Sequence, residues 1–171
     1  MREIKFRAWD GNRMRHKGFS VDSHGAAYWT GDYLMEIWPF EEESIMQYTG
    51  LKDNTKWEDL TEEERKKWVE AGNLPSQWNG KEIYEGDIVR GEIDIYDDSN
   101  KYVAVVEFGE FEVDASADEY TPIHCVGWHY RIIESPRLYK LADPYPHDIE
   151  FPGDVEVIGN IYETPELLEE K

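Results

Sequence analysis

Apolar and polar positions alternate in short runs along much of the chain, which is the pattern of half-buried β-strands. The first run, residues 4–9, alternates as far as Trp9, and the turn sequence Asp10-Gly11-Asn12 follows it. A returning strand is predicted over residues 14–19. The opening segment should therefore form a β-hairpin.

The pattern changes between residues 54 and 78, where a surface helix is predicted. Thr61 and Glu64 have the spacing of a capping box, in which the hydroxyl and the carboxylate each bond a free amide at the helix start. Gly72 is a suitable C-terminal stop, and Pro75 follows it. Trp68 should pin this otherwise polar helix to the rest of the protein.

From residue 79 the alternation returns, and the spacing of turn residues is typical of a small barrel or sandwich. We expect short strands and loops over residues 21–45 and a long extended connection over residues 134–154. A short terminal helix should begin at Thr164-Pro165. The barrel core is expected to draw on eight apolar residues: Ile83, Ile88, Val89, Val103, Val105, Phe108, Val157 and Ile161.

These patterns divide the chain into three parts. Residues 1–53 form an N-terminal region of hairpin and strands, residues 54–78 form an inserted helical segment, and residues 79–171 form a β-barrel domain. The expected fold class is mainly β.

The chain is strongly acidic, with a formal net charge of −20 over 171 residues. The first 20 residues are an exception, because they hold six bases and two acids. An acidic body disfavours nucleic acid as a partner, since such binding is driven by neutralising phosphates with Lys and Arg. The simplest role of the charge is solubility.

The sequence also indicates where the protein resides. A single cysteine, Cys125, leaves no pair for an internal disulfide and fits a reducing cytoplasm. The charged N-terminus does not resemble a secretory signal, and no apolar run reaches the roughly 20 residues of a membrane span. We therefore expect a cytoplasmic protein with no membrane partner.

Two groups of residues have the chemistry of metal ligands without the matching pattern. His124, Cys125 and His129 are zinc-type ligands, but only three are local and their spacing fits no standard site, so a buried free cysteine is favoured. The acidic run at residues 94–100 lacks the alternation and the glycine of a calcium loop, and it is interpreted as a polar hairpin loop.

Motifs for catalysis are also missing from the sequence. It holds no nucleophile elbow, no phosphate-binding glycine loop and no dinucleotide fingerprint. No catalytic residue, metal ligand or cofactor is predicted, and we expect that the chain is not an enzyme.

Four segments in order carry a resemblance to a known family. They read IKFRAWD at residues 4–10, MQYTGLKD at 46–53, NGKEIYEGDIV at 79–89, and VIGNIYE at 157–163 leading to PELL at 165–168. Together they resemble the YopX family of bacteriophage and prophage proteins. In that family the second segment usually runs almost directly into the third, so the insertion at residues 54–78 is a departure from the pattern.

The resemblance has consequences for fold and function. It implies a phage or prophage origin, an SH3-like barrel in the C-terminal part and self-association, and it implies no enzymatic activity. The cytoplasm would then be that of the host bacterium. The expected architecture is an SH3-like barrel with an N-terminal β-hairpin region and an inserted surface helix.

Three functions remain as hypotheses. The leading one is a non-enzymatic homo-oligomer whose basic hairpin docks on a neighbouring copy, through Arg7, Trp9, Arg13, Arg15 and Lys17. The first alternative is an acidic mimic of nucleic acid that inhibits a host protein. The second is a nucleic-acid binder, in which the hairpin's aromatic rings would stack on nucleobases and its basic side chains would contact phosphates.

Overall fold

The alternating segments form the strands of a mainly β protein. The computed structural model describes residues 4–21, 27–29, 45–92, 101–114, 122–134 and 155–169. In chain order, its strands are β1 (Phe6–Trp9), β2 (Met14–Arg15), β3 (Phe19–Val21), β4 (Ala27–Trp29), β5 (Ile45–Lys52), β6 (Glu82–Tyr84), β7 (Asp87–Glu92), β8 (Lys101–Asp114), β9 (Pro122–Glu134) and β10 (Val155–Asn160).

Two antiparallel four-stranded sheets hold most of these strands. The first has the order β2-β1-β5-β6, and the second has the order β10-β7-β8-β9, with one of the two curved into a half-barrel. The first sheet takes strands from both sides of the insertion at residues 54–78. The two ends of the insertion therefore lie side by side, where the Asp53 amide donates a hydrogen bond to the Lys81 carbonyl at 2.9 Å.

The predicted N-terminal hairpin is confirmed, but its second strand is shorter than expected. β1 pairs with β2 on one side and with β5 on the other. The predicted returning strand at residues 14–19 stops at Arg15, and Phe19 belongs to a separate two-stranded sheet of β3 and β4. Gly18, at a φ of 88°, provides the change of direction between them.

Most of the predicted barrel core is buried. Ile83, Ile88, Val89 and Val105 are buried, and Val103, Val157 and Ile161 are partly buried. The prediction for Phe108 was wrong, because its side chain is 54% exposed. β7 runs beside β8 only from Lys101 to Val105, and Phe108 lies three residues beyond the last of these pairs.

The inserted helix is confirmed as α1 (Glu62–Glu70), with Thr61 at its N-cap. The Thr61 hydroxyl accepts a hydrogen bond from the Glu64 amide at 3.2 Å, and the Glu64 carboxylate accepts one from the Thr61 amide at 2.8 Å. Trp68 packs against Trp78, with 5.0 Å between ring centroids. Trp78 belongs to the same inserted segment, so the pinning of the helix to the rest of the protein by Trp68 stays a prediction. Short 3-10 helices flank α1 at Trp57–Asp59 and Pro75–Gln77. The predicted terminal helix is a 3-10 turn at Pro165–Leu168.

A buried carboxylate, Asp53, joins the insertion to both sheets. Its two oxygens accept hydrogen bonds from the amide and hydroxyl of Thr55 and from the amides of Lys81 and Val157. Gly80 lies against this junction at a φ of 100°, where an added Cβ would be 2.0 Å from the Asp53 carbonyl oxygen. Only glycine fits such a close approach.

Some predictions fall largely outside the described residues. The acidic run at 94–100 lies outside them, and so does the extended connection at 134–154 apart from Glu134. Of residues 21–45, the structure describes Val21, β4 and Ile45.

Candidate interaction site

Arg7, the first residue predicted for self-association, is buried within its own chain. Its guanidinium forms an ion pair with the carboxylate of Asp87 and lies 4.6 Å from the centroid of the Tyr84 ring. Arg7 is 7% exposed and Asp87 is 1% exposed. Burial raises the pKa of Asp87 to about 6, although the positive charge of Arg7 acts in the opposite direction.

The other predicted residues are spread over the hairpin. The Trp9 ring stacks on Tyr162 of the same chain at 5.8 Å between centroids. Arg13 and Arg15 flank Asp10, whose carboxylate accepts a hydrogen bond from Arg15 Nε at 2.5 Å. This bond is the main reason that the pKa of Asp10 lies below its usual value. Lys17 is exposed.

The hairpin has partners within its own chain. β1 lies between β2 and β5, and Arg7 and Trp9 contact Asp87 and Tyr162. Self-association through Arg13, Arg15 and Lys17 stays a prediction.

A different surface emerges where β8 and β9 continue past β7. We call residues 107–114 of β8 and 122–129 of β9 the outer ribbon. Its cross-strand pairs include Glu107 with His129, Phe108 with Trp128, and Glu110 with Val126. A register shift between Val103 and Ala104 precedes the ribbon and marks a β-bulge, which increases the local twist of a strand pair.

One face of the outer ribbon is covered by its own side chains. Gly109 and Gly127 are directly opposite each other on this face. The rings of Phe111 and His129, 5.2 Å apart, lie over the glycine pair, since a Cβ added at either glycine would meet one of these rings at 3.7 Å. This aromatic cover fills the space that the glycines leave and stabilises the pairing of the two strands.

The other face of the outer ribbon leaves apolar area exposed. In the body of the sheet, this face carries the buried residues Val106 and Tyr130. Further out, Phe108 and Trp128 form an edge-to-face pair at 5.1 Å, with Phe108 54% exposed, and Val126 is 69% exposed. We call Phe108, Val126 and Trp128 the apolar stripe. The stripe lies on the same face of β8 and β9 as Val106 and Tyr130, but further along the two strands, where this face is exposed.

Glu107, His129 and Arg131 lie on the face of the two strands opposite the apolar stripe. Arg131 donates a hydrogen bond to Glu107 at 2.7 Å, and His129 Nε2 lies 3.7 Å from the same carboxylate. The three zinc-type residues share β9, where His124 and Cys125 are successive and therefore point to opposite faces. Within the described residues, no group of three or more His, Cys, Asp or Glu is arranged to hold a metal ion.

A second concave feature lies beside the insertion. An open pocket of about 410 Å³ is lined by residues 53–58 and 78–80. Its floor is engaged in bonds within the chain: Asp53 is held by its four donors, and the Trp78 indole donates to the Thr55 carbonyl at 2.7 Å. These contacts join the insertion to the barrel, so we assign no ligand to the pocket.

Sequence analysis missed the apolar stripe because the segment from Tyr102 to Phe108 is a nearly unbroken apolar run. Phe108 was assigned to the core together with Val103 and Val105, although it lies on the opposite face of β8 from those two residues. The available signal was Glu110, which occupies the next position on the same face of β8. A charged residue there indicates that the covered part of the strand has ended.

Comparison with known proteins adds little. The chain matches no protein-family model and no curated protein. Among solved structures, it is similar to protein EF1440 from Enterococcus faecalis, at 23% identity over 98% of this chain and 99% of that chain, with a TM-score of 0.41. This likeness is too distant to support a conclusion about fold or function. No helix in the described part of the chain is both long and apolar enough to cross a membrane.

Proposed function

We propose that this chain is a phage or prophage accessory protein that acts as a homo-oligomeric interaction module, without enzymatic activity, on an SH3-like barrel. The observation that carries the proposal is the apolar stripe. Monomeric proteins rarely leave contiguous large apolar side chains exposed, and such patches commonly mark a contact with another protein. Burial of this area would supply the driving force for association.

The stripe fits a protein partner better than a nucleic acid. Nucleic-acid binding needs Lys and Arg side chains that are free to contact phosphates. In the hairpin, Lys5 is bonded to Glu82, Arg7 is bonded to Asp87, and Arg15 is bonded to Asp10. This internal pairing weakens the case for the hairpin as a nucleic-acid site.

An acidic mimic of nucleic acid has weaker support. Such a mimic needs carboxylates in a continuous, phosphate-like row. On α1, two of the acids are paired with bases of the same chain: Glu63 pairs with Lys67, and Glu64 pairs with Lys81. Carboxylates paired in this way are less available to act as phosphate mimics.

Light scattering with size separation tests the proposal. The wild type should be an oligomer, and Val126→Lys should give smaller species, because a charge within the stripe would have to be buried at the contact. Val69→Lys is a matched control, since Val69 is also an exposed valine, at 51%, but lies on α1. A wild type that stays monomeric at high concentration would contradict the proposal, and so would equal sizes for all three proteins.

A further inference from the structure

The edges of the two sheets differ sharply in length. β2, β6 and β10 form three of the four edges and contain two, three and six residues. β9 forms the fourth and contains 13 residues. Short edge strands are one of the usual means by which proteins prevent unwanted strand pairing, and β9 lacks that protection.

The outward-pointing backbone groups of β9 can be identified from its neighbour. The Val106 carbonyl accepts a hydrogen bond from the Gly86 amide at 2.8 Å, so it points away from β9. The backbone of Phe108 likewise bonds to Glu85. Because inward and outward groups alternate along an antiparallel ladder, the residues opposite these two, Tyr130 and Trp128, point their own N–H and C=O away from β8.

Val126 continues this alternation. The pairing of β8 with β9 is regular from Ala104 to Asp114, so Val126 also points its N–H and C=O outward. Among the described residues, no backbone hydrogen bond reaches the outward groups of Val126, Trp128 or Tyr130. The outward groups therefore form a template for another strand.

The low charge of this edge suggests which strand it would accept. Apart from its histidines, β9 has only Arg131 and Glu134 as charged residues, and Arg131 is paired with Glu107. A partner with a basic surface would be attracted more strongly to the acidic parts of the protein than to this edge. Two copies of a chain with a net charge of −20 repel each other, and they can approach most closely where the charge is low.

We infer that β9 pairs in antiparallel orientation with β9 of a second copy, which joins two four-stranded sheets into one sheet of eight strands. The inference rests on the proposed self-association and specifies its geometry. A twofold axis perpendicular to the sheet keeps the apolar stripes of both copies on the same face. Pairing centred on Gly127 places Val126 of each copy opposite Trp128 of the other, where the side chains bury one another.

Amide hydrogen exchange measured by NMR at high and low protein concentration tests the pairing. The outward amides of Val126 and Trp128 should exchange about tenfold more slowly, or slower still, in the associated protein. The inward amides of Cys125 and Gly127 already bond to β8 and serve as internal controls that should change little. A change of equal size in both sets would overturn the inference, as would outward amides that do not respond while the protein associates.

A proline substitution separates the geometry from the proposed function. Val126→Pro removes one outward N–H without breaking the ladder to β8, and proline is tolerated at such edge positions. It should give smaller species, whereas Val126→Thr keeps both the N–H and the branched shape and should associate as the wild type does. If Val126→Lys dissociates the protein and Val126→Pro does not, the stripe is the contact but edge pairing is wrong. If the wild type is monomeric, both proposals fail.

Discussion

Arg7→Met tests whether the buried ion pair holds the N-terminal hairpin to the rest of the protein. The two side chains are almost sealed from solvent, at 9% exposure for Arg7 and 1% for Asp87. Methionine keeps much of the apolar length of arginine, but it leaves the carboxylate without a counter-charge. Removal of one partner of a buried pair costs roughly 3–5 kcal/mol of unfolding free energy, and we expect a loss of this size at neutral pH.

The loss should shrink in acid. Burial raises the pKa of Asp87 to about 6 with Arg7 present, compared with about 4 in the unfolded chain. The folded state therefore binds this proton more tightly, and the contribution of Asp87 to stability falls as the pH rises from about 4 to about 6. Without Arg7, the pKa of Asp87 should rise further. The difference between the variant and the wild type should thus be largest above neutral pH and smallest near pH ~5.

Urea unfolding followed by tryptophan fluorescence, at about pH 7.5 and about pH 5, measures both effects. Lys5→Met is the matched control on the same segment. Its ion pair with Glu82 is partly exposed, at 33% and 30%, so we expect it to cost at most about 1 kcal/mol. The reasoning is refuted if Arg7→Met costs no more than Lys5→Met, or if its cost is the same at both pH values.

Two further substitution pairs test the packing. Ile88→Ala should lower the free energy of unfolding by roughly 2–5 kcal/mol, because Ile88 is fully buried. Phe108→Ala should cost about 1 kcal/mol, since its ring mainly contacts Trp128; comparable losses in denaturant titrations would contradict the assigned burial. Gly80→Ala should lower the melting temperature more than Gly72→Ala, because an added Cβ at Gly80 would meet the Asp53 carbonyl at 2.0 Å and one at Gly72 would meet nothing within 4 Å. Equal melting temperatures would contradict the described junction.

The features that were predictable from sequence depend on residues a few positions apart. Thr61 and Glu64 form their capping box within one turn of helix, and Gly72 ends the same helix at a φ of 88°. Asp10 stabilises the hairpin turn by accepting hydrogen bonds from the amides of Asn12 and Arg13, both at 2.9 Å. Such interactions are encoded by spacing and residue type alone.

The features that were missed depend on contacts between distant segments. Arg7 and Asp87 are 80 positions apart, and nothing in the local pattern distinguishes Arg7 from the exposed Arg13. Val106 and Phe108 share a face of β8, but the spacing of apolar residues does not specify where the cover over that face ends. The end of that cover depends on contacts between distant segments, which the spacing of residues does not encode.

The response of association to salt distinguishes the ribbon from the hairpin as the contact. Docking of the basic hairpin on an acidic neighbour would be weakened by salt, because opposite charges attract across that contact. Pairing through the outer ribbon brings together two copies with a net charge of −20 at a nearly neutral edge. Charges elsewhere on the two copies repel, and salt screens them with a Debye length of about 10 Å at 0.1 M. Raising the salt concentration should therefore strengthen association, as measured by light scattering over a dilution series. Dissociation of the wild type by salt would point instead to Arg13, Arg15 and Lys17 as the contact.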